Sequence, residues 1–219
     1  MLRFRARCVG VSPYLMNPMT DQTLEDLRTK RRSEIKTDWT VQDQAATKLC
    51  QEDGQCGVPS LNLFSCLVNA GRHFTLSGRR KISTKEESLL PGMLSIEEEF
   101  LAFPNNGWVA DKRRGQLNNA GKKTAVCLVR PKFKDWGFTV TLLIDETEIK
   151  PDMVRSLLNL AGKMKGLGDF RPSCRGPFGR FKVAEWEDLG KVEEEEAPSR
   201  LIYADLMSAC LLLRGCLCA

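Results

Sequence analysis

The stretch from 162 to 182, GKMKGLGDFRPSCRGPFGRFK, holds five glycines, six bases and one acid. Its position fixes much of what the chain can fold into. Before it, Pro151 or Asp152 opens a helix with Met153, Val154, Leu157, Leu158, Ala161 and Met164 on one apolar stripe, the 3.6-residue period of a core-facing helix. Gly162 costs up to about 1 kcal/mol relative to alanine inside a helix, so the helix is expected to fray there. After it, Arg180 to Trp186 alternates apolar and polar residues and reads as a last strand. The chain must therefore join a helix to a strand through a glycine-rich, basic loop.

Glycine lets backbone N–H groups approach a phosphate closely, and arginine offers a planar fork of donors. The loop's bases are Lys163, Lys165, Arg171, Arg175, Arg180 and Lys182, with Gly162, Gly166, Gly168, Gly176 and Gly179 between them. Phe170, Phe178 and Phe181 add faces on which unstacked bases can lie, although Phe181, inside the last strand, is expected in the core. A P-loop needs G-x-x-x-x-G-K-[ST] opening a helix, and a dinucleotide fingerprint needs strand, glycines, then helix. Here the glycines follow the helix, which favours a polynucleotide over a mononucleotide. Asp169 stands as a metal ligand or, more simply, as a brace for Arg171.

The rest of the chain reads as α+β. Residues 2–12 alternate Arg3, Arg5 and Arg7 with Leu2, Phe4, Ala6 and Cys8, a strand with three arginines on its open face. Residues 13–38 look like a long connection with a basic cluster at Arg28, Lys30, Arg31 and Arg32. Val41 to Gln51 suits a short helix, and Val58-Pro59-Ser60 a second one with Leu63, Phe64, Leu67 and Val68 on one face and Gly71 at its end. Met93 to Phe103 suggests one strand or a bent pair. Residues 111–123 read as an exposed basic loop leading to strands at Thr124–Arg130 and Gly137–Ile144, which would pair as a hairpin. This order is compatible with βαββαβ, the ferredoxin-like arrangement, with loop insertions.

Charge agrees with an anionic partner. Residues 191–219 hold five acids and three bases, leaving 30 bases and 23 acids in residues 1–190. The acidic run Glu193 to Glu196 with Pro198 separates a domain at 1–190 from an acidic linker and apolar C-terminal tail at 191–219. Nine cysteines, an odd number without metal-type spacing or a preceding signal peptide, read as reduced cytoplasmic thiols. The residues call for no metal and no cofactor. Leu206 to Leu213 is too short to span a bilayer, so no membrane association is expected.

The helix, the glycine loop, Gly176-Pro-Phe-Gly179-Arg-Phe181 and the final strand resemble the glycine-rich loop of the RAMP superfamily of CRISPR-associated RNA-binding proteins. Gly57-Val-Pro59-Ser60 before a helix is similar to the lead-in of the first helix in RAMP backbone subunits, and Arg130-Pro131 adds a weaker likeness. The resemblance spans about residues 1–187. It implies a ferredoxin-like, RRM-like domain that binds a guide or small structured RNA, beside further copies of itself or other ribonucleoprotein subunits. No long thumb insertion is evident, which suggests a compact, divergent member, phage-borne or standalone. RNA contacts are then expected from Lys163, Lys165, Gly166, Gly168, Arg171, Arg175, Gly176, Phe178, Gly179 and Arg180, and from Arg79, Arg80, Lys81, Arg113 and Arg114.

RAMP processing nucleases resemble metal-independent acid–base catalysts, and His73, the sole histidine, stands near Arg72, Arg79, Arg80 and Lys81, with Tyr14 as a possible partner. A His near a helix C-terminus can equally be a cap. Three readings stay open: an RNA holder without catalysis, an endoribonuclease using His73, and a protein-interaction or inhibitory module without RNA.

Overall fold

The computed structural model describes residues 1–19, 24–25, 28–29, 38–76, 80–119 and 122–192. Lys30, Arg31, Arg32 and Arg79, and the tail from 193 onward, lie outside the described residues.

The architecture is α+β. β1 (Leu2–Gly10) lies in a four-stranded antiparallel sheet in the order β10 (Phe181–Lys191), β1, β9 (Gly137–Ile144), β5 (Leu94–Ile96). In chain order, α2 (Ser60–Gly71) falls between β1 and β5, and α3 (Pro151–Leu160) between β9 and β10. The alternation in β1 sorts its residues as written: Phe4, Ala6 and Cys8 are buried and Arg3, Arg5 and Arg7 are not. Those three join Leu63, Leu67 and Ala70 of α2, Val154, Leu157 and Leu158 of α3, and Phe138 and Val140 of β9 in one core. Removing one of its leucines should cost about 2–5 kcal/mol.

A second sheet is formed by β2 (Tyr14–Leu15), β8 (Lys122–Phe133) and β7 (Val109–Asn119). Here the structure corrects the sequence. Residues 111–123 are not a loop but the body of a hairpin, paired from Val109 with Lys132 to Asn119 with Lys122. Nor do 124–130 and 137–144 pair with each other: β8 pairs with β7 and β2, whereas β9 lies between β1 and β5. A third small sheet joins β3 (Gln51–Glu52), β4 (Gln55–Pro59) and β6 (Phe100–Ala102). The bent pair expected at 93–103 thus divides, with β5 in the first sheet and β6 in the third.

α1 is shorter than expected, Val41–Ala46, and is held by a capping box in which Thr40 accepts from the Asp43 N–H and the Asp43 carboxylate from the Thr40 N–H. Pro59 precedes α2 as its cap residue rather than opening it. Gly57 is dictated by crowding: a Cβ there would lie 2.4 Å from the Leu101 carbonyl oxygen.

α3 does not fray at Gly162. It widens into a π-turn over Ala161–Lys165, closed by the Gly166 N–H on the Ala161 carbonyl at 2.9 Å. A Cβ on Gly162 would stand 2.2 Å from the Phe181 carbonyl oxygen, so glycine here lets β10 close on the helix. The wider turn adds a residue to the period and swings Met164 out of the apolar stripe, leaving it 45% exposed.

Candidate nucleic-acid interface

The loop after α3 rests on an aromatic floor. Tyr14 meets Phe103 edge-on at 5.2 Å and Trp136 at 5.0 Å, and Phe138 meets Phe181 at 5.4 Å. Phe181 is therefore core. The Trp136 indole N–H donates to the Ser12 carbonyl at 2.7 Å, holding the chain after β1 against this floor.

The loop then threads back through its own backbone. The Leu167 N–H donates to the Gly179 carbonyl at 2.9 Å, the Gly179 N–H to Pro13 at 2.8 Å, the Asp169 N–H to Leu15 at 2.9 Å and the Gly176 N–H to Arg171 at 3.0 Å. Gly179, at φ +68°, would bring a Cβ to 1.7 Å from the Leu167 carbonyl oxygen, and Gly176 to 1.8 Å from that of Phe170. These glycines are required by the loop's closure on itself, and most of the loop's backbone N–H groups donate within the protein. Gly168, Arg171 and Ser173 keep backbone N–H groups without a partner among the described residues.

Asp169 does not brace Arg171. Its carboxylate accepts from Arg130 Nε at 3.1 Å and from the Phe170 N–H. Arg171 is pinned instead by donating Nη1 to the Gly168 carbonyl and Nε to the Ser173 hydroxyl, at 2.8 and 2.9 Å.

The hairpin and the loop are clasped together. The Arg113 guanidinium lies 4.5 Å from the Phe178 ring centroid and 5.4 Å from that of Phe170, a cation–π arrangement. Asp111 holds the other side of this guanidinium and also accepts from Lys132 at 3.2 Å. The hydrogen bond from Arg113, followed by that from Lys132, keeps the Asp111 carboxyl below its ordinary range. Arg114 and Lys112 are exposed on the same strand.

Charge compensation divides the surface. On the open face of the first sheet, Arg3 pairs with Glu97, Arg5 with Glu187 and Arg7 with Glu185. Across 162–182, Lys163 and Lys165 on the π-turn, Arg171, Arg175 and Arg180 in the loop, and Lys182 at the start of β10 make no ion pair among the described residues.

Between the loop and α2 runs a cleft of about 430 Å³. One wall carries Lys165, Gly168, Asp169, Arg171 and Ser173, the other Pro59, Asn62, Ser65 and Asn69, with Tyr14 and Cys50 at its base. Asn62, Ser65 and Asn69 form a polar stripe on α2 opposite its buried Leu63, Leu67 and Ala70, a periodic signal the sequence carried and the glycine loop overshadowed. Tyr14 is 4% exposed, and its hydroxyl has no hydrogen-bond partner among the described residues. Cys66, behind the cleft, donates to the Gly166 carbonyl, and burial pushes its thiol up to about 12. The six described cysteines are all free thiols.

His73 lies outside the cleft, in the exposed turn after α2, where its N–H donates to the Ala70 carbonyl. Tyr14 is in the cleft, and Arg72 Nε donates to the Thr84 carbonyl at 3.0 Å. Arg80 and Lys81 are exposed beyond that turn. No group of three or more metal-type ligands occurs, and no helix is long and apolar enough to cross a membrane, among the described residues.

No family model matches the sequence, and no curated protein matches it. Among solved structures, the chain is similar to one in a cryo-EM structure of the type III-B Cmr-beta assembly bound to cognate target RNA. The TM-score is 0.47 at 12% identity, covering 86% of this chain and 61% of that one. The present chain thus spans under two thirds of the length of the chain it matches.

Proposed function

We propose that this protein holds single-stranded RNA, a guide or a small structured RNA, along the 162–182 loop, as a compact member of the RAMP group with a ferredoxin-like domain. The observation that carries the reading is the charge across 162–182: six bases without an ion pair among the described residues, beside a sheet whose arginines are all paired. A polyanion supplies what the fold omits. The sheet order β10-β1-β9-β5, with α2 and α3 between its strands in the chain, supports the ferredoxin-like part of the proposal. The basic hairpin β7–β8, inserted between β5 and β9, extends the positive surface through Lys112 and Arg114. Arg80 and Lys81 are assigned an outlying part of the same path.

In this reading the protein is a holder of RNA, and His73 is not among the residues that line the cleft. Replacing Arg171, Arg175 and Arg180 together with glutamine should weaken binding of a labelled single-stranded RNA. The slope of log K against log salt should flatten by about 2, or about 0.7 for each lost phosphate contact. An unchanged slope in a folded variant refutes the assignment.

A further inference from the structure

The cleft between α2 and the loop has the chemistry of an anion subsite on grounds separate from the loop's net charge. The first turn of α2 has no side-chain cap, and although the Ser60 N–H donates to the Glu99 carbonyl at 2.8 Å, those of Leu61 and Asn62 have no intrahelical partner. This positive end opens beside Pro59 and Asn62 on one wall. Across the lining from it are Gly168, Arg171 and Ser173, whose backbone N–H groups have no partner among the described residues, together with Lys165, which makes no ion pair among them, and the fixed Arg171 guanidinium. The carboxylate in the lining, Asp169, is already held by Arg130. At the base, Tyr14 is buried but for its edge on the cleft, and its hydroxyl has no partner. Burial pushes its ionisation up, and Cys50, Arg171 and Asp169 are near enough to act on it.

We infer that this cleft seats one nucleotide of the bound RNA strand. Its phosphodiester lies among Lys165, Arg171 and the free N–H groups, and its sugar and base edge meet Tyr14, Asn62 and Asn69. The volume of about 430 Å³ falls in the range of about 300–1,000 Å³ usual for small-ligand sites. Asn62 and Asn69 supply amide donors and acceptors of the kind that read base edges. The inference rests on the RNA-holding reading and adds to it a definite place for a single unit of the strand.

Asn62 lies in the first turn of α2, where aspartate suits the helix dipole. Asn62→Asp should therefore leave thermal stability equal or improved while weakening binding of a 12-nucleotide oligouridylate about tenfold, near 1.4 kcal/mol for a charge set against a phosphate. Tyr14→Phe keeps the ring and removes the hydroxyl, and should weaken binding about threefold to tenfold, as for one hydrogen bond. Alkylation of the wild type supplies a readout independent of affinity. The oligouridylate should slow modification of Cys50 and Cys174, which line the cleft.

If the strand binds with the expected salt slope but both variants bind normally and Cys50 is unprotected, the cleft inference falls and the loop assignment stands. If the strand does not bind, both fall. Equal protection by AMP at the same nucleotide concentration would make this a free-nucleotide site, which also overturns the inference.

Discussion

The open face of β1 and the loop at 162–182 are both studded with bases, yet they are solved in opposite ways. On the sheet, every second residue of one strand faces an acid on a neighbouring strand or turn, so Arg3, Arg5 and Arg7 end in Glu97, Glu187 and Glu185. Across 162–182, the single acid, Asp169, is drawn away to Arg130 of the hairpin, and six bases make no ion pair among the described residues. A count of arginines ranks the two alike. Only the pairing separates a surface whose charge is balanced from one whose charge is not.

The largest effect expected from probing this contrast is on the rigidity of the loop. Gly179→Ala combines a left-handed φ with a 1.7 Å approach to the Leu167 carbonyl, and should cost about 2–4 kcal/mol in denaturant unfolding. A loss below about 0.5 kcal/mol, the usual limit for surface substitutions, would mean that the loop is not held as described.

Asp111→Asn should cost about 1–2 kcal/mol by freeing Arg113 and Lys132 from a partly buried carboxylate. Its pH dependence has a definite sign. The carboxyl titrates lower in the folded protein than unfolded, so its contribution is present above the unfolded value of about 3.9 and is lost as pH falls through the folded one. The stability gap between wild type and variant should hold from neutrality to about pH 5 and narrow below about pH 4. A gap that widens on acidification would contradict the clasp.

The smallest effect belongs to the sheet. Arg5→Gln with Arg7→Gln removes two exposed pairs and should change stability by about 0.5 kcal/mol or less. RNA affinity should stay within about twofold, as expected of charges already neutralised at the surface. A loss as large as that of the loop variant would erase the distinction between the two faces.

The sequence exposed those parts whose burial is periodic. β1, α2, α3 and β10 each bury one regular face, and their residues could be read directly. The hairpin β7–β8 could not. Its run Asp111-Lys-Arg-Arg114 has no apolar alternation, because the strand is held by its ladder and by polar partners: Asp111 between Arg113 and Lys132, and Arg113 over two rings. The loop was legible as glycines and bases, but the purpose of the glycines was not. Gly176 and Gly179 are fixed by carbonyls 6 to 12 residues away, contacts that no local pattern encodes. The cleft was hidden for a similar reason, since Tyr14 and Asn62 meet only when β2 and α2 close over the loop.

The placing of Arg113 over the rings of Phe170 and Phe178 has a consequence for the protein before any partner arrives. An empty stacking platform is bare aromatic surface, and bare aromatic surface invites misassociation. Here the rings are covered by the chain's own cation. If the proposed RNA stacks a base on this face of Phe178, the base takes the place of a guanidinium, at a cost of about 0.5–2 kcal/mol. On that reading, stacking here exchanges one flat cationic plane for an aromatic one, and the protein without RNA keeps its rings shielded.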